Sequence, residues 1–395
     1  MNQSYLDLVH LLRAFVQSER PQLSEQPDWP MIIRLAQINS VVGIVGSVVM
    51  TYPELADAEL CAFLRKQCLA EIALYHQRAD RMRALIRVMN EREIDHLLFK
   101  GFVVRDYYPI PELRSFGDID FVIRKEDRKR SDDLMLELGF CRECEYEPAL
   151  SYLKGNEYYE IHTAVLEVDV SDKMDYIGYY EQIWDHAVCL QDHTYVFTPE
   201  FHFLYLLTHL AKHISSSGAG IRMYLDIAFF IRHFGESLDW EWVQGELETL
   251  AFTEYANMVL NAVETWFRVP SPILLRPVEK SIMDDFLNFT LEGGTFGHFG
   301  RDSGTIFLKN QNRSDVDSVS RAATMRCRLF PPAKELENRY TYLRGRHWLL
   351  PIAWIHRFFR GAERFEYHVN QAKDILSAED EEVIRLRKIY KEIGL

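Results

Sequence analysis

The sequence predicts an α+β protein in which a small mixed β-sheet is flanked by helical regions on both sides. Apolar residues recur at helical spacing across residues 1–90 and again from residue 198 onward. Residues 91–197 instead contain short apolar or alternating segments that are separated by turns. We therefore expect an N-terminal helical region at 1–90, a sheet-containing core at 91–197 and a C-terminal helical domain at 198–395.

The N-terminal region contains one long helical segment, at 61–89, which has neither Gly nor Pro. The core opens with an apolar strand at 94–99 and a short helix at 102–108. A second strand is expected at 117–123, and a charged helix at 124–138 follows it. The remaining elements that the sequence predicts are strands at 158–165 and 166–170 and helices at 201–214, 223–234, 240–267 and 379–393.

The composition is that of a folded protein, with 48% hydrophobic and 26% charged residues. A net charge of −14 argues against a protein that coats nucleic acid through its overall charge. Residues 301–360 differ, because they contain twelve Lys or Arg and five Asp or Glu. This basic segment also contains aromatic residues, and it fits a solvated helical face, a single-stranded RNA contact or a membrane-surface contact.

The cysteines and the apolar segments favour a cytoplasmic protein. Six cysteines are scattered, and the single C-x-x-C at Cys141 and Cys144 has no second pair for a zinc ribbon. The N-terminus lacks the basic head and the long apolar run of a secretory signal. The longest apolar stretch, Val41–Met50, is about half of what a membrane span needs, so we expect none.

The sharpest motif is the Asp118-Ile119-Asp120 sequence in the second predicted strand. Residues two apart on a strand point to the same face, about 7 Å apart along the backbone. Two carboxylates that close repel each other, and a divalent cation with a preference for oxygen ligands, Mg²⁺ or Mn²⁺, removes the repulsion. The alternative is a solvated and inert pair at a sheet edge.

Two features before this motif suggest a site for phosphate. Lys100 and Gly101 end the first strand and begin a helix, where glycine allows close backbone approach and free N–H groups bind anions. Lys100 can add a point charge. Arg114 can clamp a phosphate or pair with Asp106 or Glu112, and both interpretations stay open.

The succession of Lys100-Gly101, Arg114 and Gly117-Asp118-Ile119-Asp120 resembles the nucleotidyltransferase superfamily that shares the polymerase-beta-like catalytic core. That superfamily has a Gly-Gly or Gly-Ser turn, then D-x-[DE] on the next strand and a third carboxylate on a later strand. The chain is most similar to the uncharacterised bacterial nucleotidyltransferase branch, in which Lys-Gly replaces Gly-Ser. Further matching segments are Glu160-Ile161-His162-Thr163, Pro199-Glu200, His209 to His213 and Leu225-Asp226-Ile227.

The resemblance implies a reaction and a set of site residues. A nucleoside monophosphate would pass from an NTP to a hydroxyl group of an acceptor, with release of pyrophosphate, and Mg²⁺ or Mn²⁺ would be the cofactor. The implied catalytic and metal-binding residues are Asp118, Asp120 and Glu160, with Asp169 as the rival third carboxylate. The implied nucleotide-binding residues are Lys100, Gly101, Arg114, Gly117, Lys212 and His213.

Several histidines have more than one interpretation. His162 shares a strand face with Glu160 and is either a ligand or a half-buried structural residue. His209 and His213 share a helix face, where they can contact the nucleotide, support the fold or bind a metal. Arg222 and Asp226, four residues apart, fit a helix-surface ion pair.

A small-molecule acceptor fits this sequence best, because the negative charge disfavours bulk RNA binding. Nucleotidylation of a protein or RNA acceptor is the first alternative, and the basic segment keeps it open. A nucleotide-binding regulator without catalysis is the second. The sequence contains no readable motif for the acceptor, the preferred NTP or the oligomeric state.

Overall fold

The protein forms a seven-stranded mixed sheet with helices on both faces, which confirms the predicted fold class. The structure is a computed structural model that describes residues 2–115, 119–146, 149–155, 157–167, 170–171, 173–216, 218–294, 330–336, 340–343, 345–360 and 390–395.

The strand order across the sheet is β3-β4-β5-β2-β1-β7-β6. The β2–β5 and β1–β7 pairs are parallel, and the other neighbours are antiparallel. β2 and β5 therefore lie side by side at the centre of the sheet. The strands are β1 (His96–Leu98), β2 (Ile119–Ile123), β3 (Cys141–Tyr146), β4 (Ala149–Lys154), β5 (Glu157–His162), β6 (Ala187–Gln191) and β7 (Thr194–Phe197).

The helices precede, connect and follow these strands, and several of them begin at an Asp that accepts a hydrogen bond from the first turn, as Asp57 does from Leu60. The described helices are α1 (Gln3–Gln17), α2 (Trp29–Ile38), α3 (Val42–Thr51), α4 (Ala58–Glu91), α5 (Gly101–Val104), α6 (Arg128–Glu137), α7 (Tyr176–Tyr179), α8 (Pro199–Ser216), α9 (Ile221–Phe234), α10 (Trp240–Thr249), α11 (Thr253–Phe267), α12 (Lys280–Gly293), α13 (Ala333–Leu336) and α14 (Leu350–Arg360).

The two faces of the sheet belong to two hydrophobic cores, because side chains alternate along each strand. Val122 points into the larger core, which also contains residues of α8 and α9 such as Leu207 and Ile227. Phe121 points into the smaller core, which contains Met82 of α4 and residues of α6. The larger core also includes α1, α3, α11 and α12, so the helical flanks on the two sides of the core region pack together.

Two of the predicted elements are wrong. The helix predicted at 240–267 is two helices, α10 and α11, because the backbone between them turns at Ala251, whose φ is 53°. The strand predicted at 166–170 is wrong for its described residues, which form bends and irregular structure. Neither the break itself, at residues 250–252, nor the segment 166–170 contains a Gly or Pro that would have marked the change.

Residues 379–389 of the helix predicted at 379–393, and more than half of the basic segment, lie outside the described residues, whereas residues 390–393 are helical as predicted. Within the part of the chain that the structure describes, no helix is both long enough and apolar enough to cross a membrane.

Candidate active site

The β2–β5 pairing builds the candidate site. These strands are parallel, with Asp120 opposite Glu160 and Val122 opposite His162. Since residues two apart share a face, Asp120, Glu160 and His162 all project from the same side of the sheet. One ligand atom from each of the three lies within 4.8 Å of the others, and no other group of three such side chains occurs among the described residues.

His162 lies at the centre of these acids. Its Nε2 is 3.1 Å from Asp120 Oδ1 and 3.4 Å from Glu160 Oε2, and its Nδ1 is 3.5 Å from Glu167 Oε1. The Tyr158 hydroxyl donates a 2.8 Å hydrogen bond to Glu160 Oε1. One imidazole therefore contacts three carboxylates, an arrangement with an excess of negative charge.

Lys100 supplies the nearest ammonium group, with Nζ 3.3 Å from Asp120 Oδ2. Its φ of 55° and ψ of −140° lie in a region that glycine favours, so the backbone is strained at this residue. The strain lets the chain turn directly from β1 into α5, where the Lys100 carbonyl accepts hydrogen bonds from Val103 and Val104. We name Lys100, Asp120, Glu160, His162 and Glu167 the strand cluster.

The charges within the strand cluster shift one another's ionisation. Burial alone would raise the pKa of Asp120, but the Lys100 ammonium and the His162 hydrogen bond together hold it well below its usual value. The His162 hydrogen bond also lowers the pKa of Glu160. Burial opposes the charged form of His162, but its bonds to both carboxylates raise its pKa overall. Asp120 and Glu160 are therefore carboxylates at neutral pH.

Helix α8 faces the same side of the sheet. Burial lowers the pKa of Lys212, although the Glu167 carboxylate close to it favours the charged form. Burial and the Lys212 and Lys100 charges lower the pKa of His213 to about 4, so its imidazole is neutral at pH 7. His213 Nε2 is 3.2 Å from His209 Nε2. These side chains therefore present one ammonium group and two neutral imidazoles close to the strand cluster.

Arg114 is engaged elsewhere. Its guanidinium group is buried, with Nε 3.1 Å from Asp226 Oδ1 and Nη2 2.6 Å from Asp226 Oδ2. The Tyr108 hydroxyl donates a 2.7 Å hydrogen bond to the same carboxylate. We name Arg114, Asp226 and Tyr108 the Arg114 cluster. Both carboxylate oxygens bind the guanidinium group, so Arg114 ties the segment before β2 to helix α9. A contact of Arg114 with a phosphate stays a prediction from the sequence.

The expected partners of these charged residues are therefore corrected. Arg114 pairs with Asp226 and not with Asp106 or Glu112, and Arg222 donates to the Ser115 carbonyl instead of pairing with Asp226. Gly101 also has an unexpected role. A Cβ atom at Gly101 would lie 1.9 Å from Arg114 Nη1, so the guanidinium group leaves room only for glycine.

Some predicted site residues lie outside the described residues, namely Gly117, Asp118 and Asp169. Their roles stay predictions from the sequence. Glu160, the other candidate for the third carboxylate, lies in the strand cluster.

Sequence reasoning left two members of the strand cluster without a role. The sequence leaves two interpretations open for His162, and it places Glu167 in a strand at 166–170, whose described residues are irregular. The E-x-H spacing of Glu160 and His162 was the available signal, because it repeats the same-face geometry of D-x-D on a second strand. Glu167 has the same spacing to Asp169, but it follows β5 in irregular structure, so the strand-face argument does not explain its position.

Comparison with known proteins gives one match. A family model described as an uncharacterised nucleotidyltransferase matches residues 25–268. Neither curated proteins nor solved structures gave a match. The matched range runs from before α2 to the residue after α11 and contains both the strand cluster and the Arg114 cluster.

Proposed function

The chain belongs to the uncharacterised nucleotidyltransferase family, and from this membership we propose that it is a metal-dependent enzyme with a small-molecule acceptor. It would move a nucleoside monophosphate from an NTP to a hydroxyl group and release pyrophosphate. The observation that carries the proposal is the convergence of Asp120, Glu160 and His162 on one sheet face. If the D-x-D acids were an inert surface pair, nothing would favour the placement of a further carboxylate and an imidazole from a second strand beside them.

The donor set of the strand cluster fits a divalent cation. Two carboxylates that are ionised at neutral pH provide hard oxygen ligands, which suit Mg²⁺ and Mn²⁺, and an imidazole is compatible with Mn²⁺. Asp120, Glu160 and His162 would hold the ion, and the sequence predicts Asp118 as a further ligand. When bound, such an ion offsets negative charge on the phosphate oxygens.

The chain's own cations complete the electrostatics. In phosphoryl transfer the protein contributes mainly positioning and charge, and little covalent chemistry. Lys100 and Lys212 lie near the carboxylates and would bind triphosphate oxygens, which stabilises the pyrophosphate as it leaves. The neutral imidazole of His213 would accept or donate a hydrogen bond without adding charge.

A thermal-shift experiment tests the nucleotide site. Each NTP is added to the full chain with and without Mg²⁺, and we expect stabilisation only when both are present. A ligand at 100 times its Kd adds about 2.7 kcal/mol to the free energy of unfolding, enough for a clear shift in Tm. Pyrophosphate release in the presence of a metabolite extract then tests transfer.

A pair of lysine variants sharpens the result. Lys212→Met should reduce the stabilisation by NTP with Mg²⁺, whereas Lys129→Met, at an exposed position of α6, should not change it. Equal shifts in the two variants, or stabilisation of the wild type by NTP without metal, would contradict the proposed site.

A further inference from the structure

A cavity of ≈ 610 Å³ opens beside the strand cluster. Its walls include Arg124 and Thr163, which directly follow β2 and β5, and five of the residues between 177 and 184. Its volume falls in the range of pockets that hold small organic molecules. The proposed nucleotide contacts, Lys100 and Lys212, do not line it.

One residue belongs to both the cavity and the strand cluster. Glu167 lines the cavity, and its Oε1 is 3.5 Å from His162 Nδ1. His162 is in turn 3.1 Å from Asp120. A molecule in the cavity that touches Glu167 is therefore separated from the Asp120 and Glu160 carboxylates by the His162 imidazole.

The register of the strands places this cavity opposite Lys100. β1 and β2 are antiparallel, with Leu98 opposite Phe121 and His96 opposite Ile123. Lys100 therefore lies beside the first residues of β2, and Arg124 directly follows its last residue. Asp120 lies between the two.

This order matches what nucleotidyl transfer requires. The attacking and leaving oxygens lie roughly in line on opposite sides of the phosphorus. With a triphosphate on the Lys100 side, an acceptor in the cavity would approach from the other end of β2.

The charges on the cavity walls indicate the chemistry of the acceptor. The charge of Arg124 is matched by Asp95, whose Oδ2 is 2.7 Å from Arg124 Nε. Beyond this pair, the carboxylates on the cavity walls exceed the cations by one. The cations are Lys125 and Arg128, and the carboxylates are Glu126, Glu167 and Glu181.

Apolar surface lies between these charged groups. Trp184, Ile177 and Ile183 line the same cavity, and the guanidinium carbon of Arg124 lies 4.2 Å from the centre of the Trp184 ring. A polymer with uniform negative charge would be repelled by the excess of carboxylates on these walls.

We propose that this cavity is the acceptor pocket and that it takes a small hydroxylated molecule with a protonated amine. The inference rests on the proposed function and specifies its second substrate. Glu181 would pair with the amine, and Glu167 would accept a hydrogen bond from a second hydroxyl group, which orients the reacting one.

The transfer step balances without a further reactant. The acceptor oxygen forms a bond to the α-phosphorus, and the bond from that phosphorus to the bridging oxygen of the β-phosphate breaks. Pyrophosphate leaves on the Lys100 side, and the hydroxyl proton passes to water.

The test separates a metabolite extract into cationic, neutral and anionic pools. Each pool is incubated with the full chain, Mg²⁺ and the four labelled NTPs together, and nucleotidyl adducts are identified by mass. We expect an adduct in the cationic pool. Glu181→Lys, which reverses an exposed charge, and Ala164→Phe, which fills the cavity, should each reduce it at least about tenfold. Glu248→Lys, at an exposed position of α10, is the matched control.

Nucleotide binding is measured on the same variants by thermal shift. Unchanged stabilisation by NTP with Mg²⁺, together with loss of the adduct, assigns the cavity to the acceptor. An adduct confined to another pool, found on RNA or protein, absent from all pools, or insensitive to both cavity variants would overturn the inference. If the wild type shows no metal-dependent stabilisation by any NTP, the proposed function fails first and the acceptor pocket with it.

Discussion

The strand cluster and the Arg114 cluster use the same kinds of side chain for different purposes. In the Arg114 cluster one guanidinium group meets one carboxylate, both are 7% exposed, and a tyrosine hydroxyl binds the carboxylate as well. In the strand cluster three carboxylates surround one imidazole and one ammonium group. The first set of charges is balanced within the protein, whereas the second has room for further positive charge.

The difference shows how a charged motif residue can be assigned. Arg114 lies four residues before Asp118 in the family pattern, yet its charge is matched by a residue 112 positions away in the chain. Asp120 has partners too, but one of them, His162, is shared with Glu160 and Glu167. The number of opposite charges around a group therefore separates a structural ion pair from a candidate binding site better than the motif does.

The largest effect is expected from Asp120→Asn. Removal of a ligand carboxylate should lower the rate of pyrophosphate release by roughly 10³-fold, because stabilising charge at the transition state is lost. Asp118→Asn should have a similar effect, as the sequence predicts. Circular dichroism should show an intact fold, and Asp133→Asn, at an exposed position of α6, should keep full activity. An Asp120→Asn protein with full turnover would show that the strand cluster does not hold the metal.

Asp226→Asn is expected to lower stability, in contrast to Asp120→Asn, whose fold should stay intact. It leaves the Arg114 guanidinium buried without its counter-charge and should lower the free energy of unfolding by about 3 kcal/mol, measured by urea denaturation. The double variant Arg114→Met and Asp226→Leu should recover much of that loss, because a buried pair can be replaced by apolar side chains. A change below about 1 kcal/mol in Asp226→Asn would mean that the cluster is open to water.

Gly101→Ala tests the close contact between Gly101, the residue after Lys100 of the strand cluster, and Arg114 of the Arg114 cluster. The new methyl group would collide with Arg114 Nη1, and the displaced guanidinium group should cost about 2 kcal/mol of stability. Gly245→Ala is the matched control, because nothing lies within 4 Å of its Cβ position in helix α10, and it should stabilise slightly. Equal stability of the two variants in urea denaturation would contradict the close approach at Gly101.

A change of pH is expected to have a smaller effect on the free energy of unfolding, through His202, which is buried near Asp226. Burial lowers the pKa of His202 to about 4, although the Asp226 charge opposes the shift. Since a histidine in the unfolded chain has a pKa of about 6.5, only the unfolded state gains a proton between pH 6.5 and pH 4. The stability present above pH 6.5 is therefore lost as the pH falls, by about 1 kcal/mol between pH 6.5 and 5.5.

Urea denaturation at these two pH values measures the effect. The difference between the wild type and His202→Gln isolates this residue from the other buried histidines. An equal pH dependence in both proteins would show that His202 takes up its proton in the folded state.

The sequence predicted elements whose signal is local. The period-2 spacing placed Glu160 and His162 on one strand face, and the structure confirms this. Strands β3, β4, β6 and β7 were not predicted. In the edge strand β6, Val188 and Leu190 are exposed and no alternating pattern marks the strand. The break between α10 and α11 was missed because Ala251 takes a positive φ without a glycine to announce it.

By itself the sequence determined the fold class, the family and the residue types of the site, because periodicity and short motifs are written in neighbouring positions. Only the tertiary structure decided that Asp120 meets Glu160 and His162, that Arg114 belongs to Asp226, and that Glu167 joins the strand cluster to a cavity. These pairings depend on the order in which distant strands and helices pack. Burial of apolar surface drives that packing without regard to distance along the chain, so no local pattern records which charges it brings together.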